Sequence, residues 1–202
     1  MTRPVKAVVF DIGNVLIRWD PHMAFLPDLG SRAAVDAFFD RIDFYALNLR
    51  ADGGESFADL AAALPDPDDG ARLAGYVNRY AATVAEPIES SWALLEPLRD
   101  AGREIHAITN SSAETWPVGV AAHPRLATSF GVVIVSGQDR VLKPQPGIFA
   151  LLCDRAGLAP EDCVFIDDSE RNVAGARAFG MDAIHFTTPP ALEAALTARE
   201  IL

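Results

Sequence analysis

Short apolar runs recur at residues 5–10, 104–109, 132–135, 163–167 and 183–186, with helical spacing in most of the chain between them. No other feature constrains the fold as much. The runs are short, and several are apolar on both faces, so they read as strands of a parallel sheet covered on two sides. Helices are expected at 89–101, apolar at Trp92, Leu94, Leu95 and Leu98 and stopped by Gly102, and at 148–156, after Pro146 and closed by Gly157. Two more are expected, at 171–179, with Ser169 as N-cap and Gly180 as stop, and at 191–199. Strand and helix in alternation imply an α/β fold, a doubly wound Rossmann-like parallel sheet.

The alternation lapses once. Between residues 18 and 88 helical spacing at 31–42, 56–63 and 72–85 is separated by stretches such as Leu64-Pro65-Asp66-Pro67-Asp68-Asp69-Gly70, and no strand is evident. Residues 1–17 and 89–202 therefore read as the core, and 18–88 as a helical insertion between its first two strands. Placed there, an insertion overhangs the carboxyl edge of the sheet, where such folds bind ligands.

Composition narrows the partners. A chain of 202 residues holds one domain with room for an insertion. The net charge of −11 disfavours nucleic acid and anionic membranes, but not an anionic small molecule met by a local lysine, a cation or a helix N-terminus. Much of the acid lies between Asp52 and Asp69 and reads as solvated surface. No apolar run approaches the roughly 18 residues of a membrane span. No signal-peptide pattern opens the chain, and Cys153 and Cys163 form no CxxC, so a reducing cytoplasmic setting is expected. The sequence sets no oligomeric state.

Polar groups follow four of the strands. Asp11 ends the first, Thr109 and Asn110 the second, Lys143 comes shortly after the third, and Asp167-Asp168 end the fourth. Singly these are a turn aspartate, a strand-end hydroxyl, a surface lysine and a helix cap. In a parallel sheet, however, all four carboxyl ends share one rim, and chance explains the ordered set poorly. The set suits phosphoryl transfer. Asp11 is placed as nucleophile, Asp11 and Asp168 as oxygen ligands of a hard cation, Thr109 as a donor to a phosphoryl oxygen, and Lys143 as a counter-charge.

These residues resemble the motifs of the haloacid dehalogenase-like hydrolase superfamily. Val8-Val9-Phe10-Asp11-Ile12-Gly13-Asn14-Val15-Leu16-Ile17 looks like its first motif, Ile108-Thr109-Asn110 its second, Lys143-Pro144 its third, and Val164-Phe165-Ile166-Asp167-Asp168-Ser169 its fourth. The insertion occupies the position of the C1 cap. Gly13-Asn14-Val15-Leu16 with Trp19-Asp20-Pro21 is similar to a branch that includes sugar-phosphate phosphatases such as the α-glucose-1-phosphatase-like enzymes. The resemblance implies Mg²⁺ held by Asp11, Asp168 and the carbonyl of Gly13, with Asp167 and Asn172 behind them, Asn172 reaching the site through its carbonyl or a water. It implies a small phosphorylated substrate, and Asn110, Gly13, Arg18, His22 and Trp116 are expected around it. Arg18, Trp19 and His22 follow the first motif closely, Arg50 is a further group for an anion, and Trp116 follows an apparent capping box at Ser111 and Glu114. His106, His185 and His123 read as structural or loop residues.

One position departs from the pattern. Most phosphatases of the superfamily carry a second aspartate, the general acid, two residues after the nucleophile, and here that residue is Gly13. General acid help is typically worth about 10²–10⁴-fold. Its loss implies good leaving groups, a proton shuttle through water or a residue such as His22, or weakened activity. It also opens two alternatives. One is a metal-independent 2-haloacid dehalogenase, whose halide needs no proton. The other is a catalytically impaired binding or regulatory module. The acidic pair Asp167-Asp168 favours the metal-dependent phosphatase.

Overall fold

The computed structural model describes residues 5–202. Residues 1–4, which begin the expected core segment 1–17, lie outside that range. The sheet consists of β1 (Ala7–Phe10), β2 (Glu104–Thr109), β3 (Val133–Val135), β4 (Cys163–Asp167) and β5 (Asp182–His185) in the order β3-β2-β1-β4-β5, with every neighbouring pair parallel. The expected strands 5–10, 132–135 and 183–186 are thus trimmed or shifted by one or two residues. Phe10 on β1 is level with Ala107 of β2 and Ile166 of β4, so the ends of the three central strands reach the same rim.

Alternate residues of each strand feed opposite faces. Val8, Phe10, Ile105, Ala107, Val164 and Ile166 pack with Trp92, Leu95, Leu98, Leu192 and Leu196. Ala7, Val9, Ile108, Ile134 and Phe165 pack with Ile148, Phe149, Leu152, Val173 and Ala176 on the other face. The chain runs from β1 outward through β2 to β3, then returns to β4 on the far side of β1. The crevice between β1 and β4 is therefore the topological switch point, where open α/β sheets bind ligands.

The core helices follow the sequence closely, at Pro146–Ala156, Glu170–Phe179 and Pro189–Thr197. Gly157 (φ 68°) and Gly180 (φ 112°) take the left-handed turn that ends the first two. The expected helix at 89–101 is two short pieces, Glu89–Trp92 and Leu95–Asp100. Ser169 makes no side-chain cap: its N–H donates to Asp167 Oδ1 at 2.8 Å instead.

Between Pro21 and Thr83 the chain is helical and builds its own apolar cluster. Phe25, Phe38, Phe39, Phe44, Phe57 and Tyr76 meet there, with Phe25 stacked on Tyr76 at 5.6 Å and Phe39 on Phe44 at 4.1 Å. Arg32–Ile42 and Phe57–Ala62 form where the spacing predicts, capped by Ser31 and Ser56. The expected helix at 72–85 is divided at Gly75 into Pro67–Ala74 and Tyr76–Thr83. Helix Phe44–Asp52 was not foreseen. It begins from left-handed Asp43 (φ 52°) with no side-chain cap to announce it. The insertion joins the core through two adjacent crossings, tied by main-chain bonds from Arg18 to Glu86, Asp20 to Thr83 and Ile88 to Leu16. Among the described residues no helix is long and apolar enough to cross a membrane.

Candidate active site

Apolar flanks bury β1 up to its last residue, so Asp11 leaves the sheet with its carboxyl group shielded from water. Its N–H is fixed by Ile166 O at 2.8 Å, and its Oδ1 accepts from Ile12 N–H at 2.7 Å. Lys143 Nζ lies 2.8 Å from the same Oδ1 and 2.7 Å from Asp167 Oδ2, and donates to Ile108 O at 3.3 Å. Those contacts engage all three ammonium protons. The lysine is placed by Asn110, whose Oδ1 accepts from Lys143 N–H at 2.9 Å and whose Nδ2 donates to Lys143 O at 3.3 Å.

Asp167 is fully buried, and besides Lys143 and Ser169 N–H it is met from helix Glu170–Phe179. Asn172 Nδ2 donates to both of its oxygens, at 3.0 and 3.1 Å. Asn172 thus presents its amide nitrogen to Asp167, where the sequence reading had given it a carbonyl role. Asp168 follows, met by the side chain of Asn14, which turns with φ 55° just after Gly13. Oxygens of Asp11, Asp167 and Asp168 all lie within 4.8 Å of one another.

The charges do not cancel, because three carboxylates face one ammonium. Burial pushes the Asp11 carboxyl well above the usual range, and the charges of Asp167 and Asp168 push the same way against Lys143. Asp168 is raised by burial and then by Asp167. Burial disfavours charge on Lys143, but Asp11 and Asp167 outweigh it and the ammonium is held above its ordinary value.

A cleft of about 210 Å³ opens over this rim, lined by Asp11, Gly13, Thr109, Asn110, Lys143, Asp168 and Asn172 from the core. Trp116 lines it as well, and Trp19 joins from the insertion side with its Nε1 donating to Tyr76 Oη at 3.2 Å. Arg18 and His22 do not face the cleft as expected. Arg18 pairs with Glu86 on the surface, and His22 lies between Asp20 and Asp36 against Phe39. Arg50 pairs with Glu55. His106 Nδ1 accepts from Val132 N–H, His123 bonds Val84 O, and His185 bonds Asp168 O.

Some cleft residues are not evident in the sequence. Asn48, Asp52, Tyr80, Ser111 and Thr115 also line the cleft. Asp52 and Asp69, read as solvated surface, are buried, and Asp69 is bound by both Arg41 and Arg72. The one-turn spacing of Asn48 and Asp52 was the available signal for the inner face. The Ser111–Glu114 capping box does not form. Ser112 Oγ accepts from Thr115 N–H, and Glu114 reaches across to accept from Phe57 N–H at 2.7 Å, capping an insertion helix from the core.

The fold agrees with the wider comparison. A family model described as haloacid dehalogenase-like hydrolase matches residues 5–180, and the chain belongs to that family of enzymes. Among individual relatives it is 32% identical over 83 residues to the fructose-1-phosphate phosphatase YqaB of Escherichia coli, an alignment covering 41% of this chain and 44% of that protein. It is 27% identical over 188 residues to a phosphoglycolate phosphatase of Xylella fastidiosa, covering 89% of this chain and 79% of that one. A (S)-2-haloacid dehalogenase 4A of Burkholderia cepacia is 26% identical over 102 residues, 49% of this chain and 44% of that protein. The fold matches that of a HAD-family enzyme of Bacteroides thetaiotaomicron, solved in complex with magnesium and inorganic phosphate, with a TM-score of 0.67 at 20% identity over 91% of this chain and 95% of that one.

Proposed function

We propose that the chain is a Mg²⁺-dependent phosphatase acting on a small phosphomonoester, a sugar phosphate among the candidates, with Asp11 as nucleophile. The carrying observation is the close cluster of Asp11, Asp167 and Asp168, the first two buried and paired with a single lysine. Carboxylate surplus in a dry site is costly unless a cation joins it. The donor set fits one: all oxygens, closely grouped, as a hard divalent ion requires. Asp11, Asp168 and the Gly13 carbonyl would hold the ion, which when bound supplies positive charge to both nucleophile and phosphate.

The remaining chemistry belongs to the chain. Both contacts of Asp11 fall on Oδ1, which leaves Oδ2 to attack phosphorus and form an aspartyl-phosphate. Thr109 and the turn after it donate to the phosphoryl oxygens. Lys143, its protons already engaged, acts by charge and by holding Asp11 against Asp167. Water then cleaves the aspartyl-phosphate. We assign residues 18–88 as the cap that encloses the substrate and 5–17 with 89–202 as the catalytic core. The small cleft and the phosphatase relatives support this reading.

Gly13 and the dehalogenase relative favour a second reading, metal-free release of halide from a haloacid. One experiment separates the two. Turnover of an aryl phosphate is measured with Mg²⁺ and with chelator, on the wild type and on Asp11→Asn. Release that needs Mg²⁺ and vanishes in the variant is expected. No release under any condition, with turnover of a small 2-haloacid in chelator, would overturn the phosphatase reading.

A further inference from the structure

The turn after β1 offers no acid at residue 13, yet a Cβ there would meet nothing within 4 Å. Space does not demand the glycine. Across the cleft lies a carboxyl group that the reaction above leaves unused. Asp52 ends helix Phe44–Asp52 and lines the same cleft as Asp11, Thr109 and Lys143, with only 9% of its surface exposed. Asn48 Nδ2, one turn back, donates to its Oδ2 at 3.0 Å, and Ser112 N–H also bonds the carboxyl group. Ser136 Oγ donates to its main-chain carbonyl at 2.7 Å, pinning the end of the helix to the core. No lysine or arginine forms an ion pair with Asp52 among the described residues. A carboxylate there is buried, lacks a bonded cation and faces the negative end of a helix dipole. Each of these circumstances favours the neutral acid.

We propose that Asp52 is the proton donor and acceptor of the reaction, serving the leaving oxygen from the insertion side in place of the acid missing at residue 13. The proposal rests on the phosphatase reading. Neutral Asp52 gives its proton to the ester oxygen as the bond from that oxygen to phosphorus breaks and the Asp11–phosphorus bond forms, releasing an alcohol. The Asp52 carboxylate then takes a proton from water as the water oxygen bonds to phosphorus and the Asp11–phosphorus bond breaks. The sum is ester plus water giving alcohol plus inorganic phosphate, with both aspartates restored.

The group is poised for both halves. Burial pushes Asp52 up to about 7, against the charge of Lys143 and the Ser112 N–H. The other ionisable groups that sense it are Tyr76 and Tyr80, whose phenols burial keeps neutral. Glu114, on the loop after β2, is turned to Phe57 N–H, Asp139 beyond β3 is paired with Arg155, and Arg50 on the same helix is paired with Glu55. As an acid, Asp52 works below its pKa and fails as pH rises through it.

The test compares kcat/KM for aryl and alkyl phosphates in the wild type, Asp52→Asn, and Asp52→Asn combined with Gly13→Asp, across pH and with Mg²⁺. An alkoxide needs the proton and an activated phenolate barely does. Asp52→Asn should therefore lower alkyl ester turnover by about 10²–10⁴-fold and aryl ester turnover by less than about tenfold. The basic limb near pH 7 should disappear from the alkyl profile. Gly13→Asp, filling the open space, should restore part of the alkyl activity. Equal losses on both ester classes, or a basic limb unchanged in Asp52→Asn, would overturn the assignment and leave the phosphatase standing. Absence of Asp11-dependent aryl phosphatase activity in the wild type would overturn both.

Discussion

Replacing Lys143 by methionine keeps the length of the side chain and removes its charge. The ammonium lies between Asp11 at 2.8 Å and Asp167 at 2.7 Å, its side chain 1% exposed, so the variant leaves two buried carboxylates facing each other. Breaking a buried pair by deleting one partner costs about 3–5 kcal/mol. With a urea m-value of about 3 kcal/mol/M for a chain of this size, the unfolding midpoint should fall by roughly 1–2 M in chelator at neutral pH. The sign of the pH dependence follows from Asp11, whose folded pKa is raised, first of all by burial. A raised carboxyl contributes stability that is complete below its unfolded pKa and lost as pH rises through the folded one. Without Lys143 that folded value moves higher still. The deficit of the variant should therefore be largest at about pH 8 and at least halved at about pH 5. Urea titrations followed by far-UV circular dichroism at both values check this. A deficit under about 1 kcal/mol, or one that does not change with pH, would refute the view that uncompensated carboxylate charge dominates this rim.

Two further outcomes are expected. Asn172→Ala removes both amide bonds to Asp167 and should raise the Mg²⁺ concentration for half-maximal activity by about 10–100-fold with little change in fold, read from Mg²⁺ titrations of aryl phosphate turnover. Gly175→Ala would set a Cβ 2.5 Å from Pro144 Cβ, so the helix must back away from the loop carrying Lys143. We expect a loss of about 1–3 kcal/mol in urea and a fall in kcat, and an unaltered kcat would show that Lys143 tolerates the shift.

The parts of this molecule that could be read in sequence are those encoded locally. Asp11, Thr109 and Asp167 each close an apolar strand, and the order of the strands places them on one rim whatever the loops do. Helix Phe44–Asp52 was missed because its apolar positions, Phe44, Leu47 and Ala51, follow a left-handed aspartate rather than a side-chain cap. Asp52 and Asp69 sit in an acidic stretch that looks solvated. What buries them comes from far along the chain: Ser112 and Ser136 for the one, Arg41 for the other. Glu114 was read as a local cap because nothing in its neighbourhood reveals that Phe57, on another unit, holds the vacant N–H. Arg18 and His22 follow the nucleophile in sequence, yet the chain has already turned away, and each meets an acid outside the cleft.

The insertion is attached in two unlike ways. At its base the outgoing and returning segments lie side by side, tied by the bonds Arg18–Glu86, Asp20–Thr83 and Ile88–Leu16. Elsewhere the bonds that fasten it include Glu114 on Phe57 N–H, Ser136 on the Asp52 carbonyl and Ser112 N–H on the Asp52 carboxyl group. We expect a doubled tether to permit swinging and resist sliding, as a door does on a hinge with its bolts on the free side. Drawing the bolts would also wet Asp52 and return its carboxyl toward an ordinary, ionised state. On the proposal that Asp52 is the proton donor, delivery of the proton then requires the door to be shut.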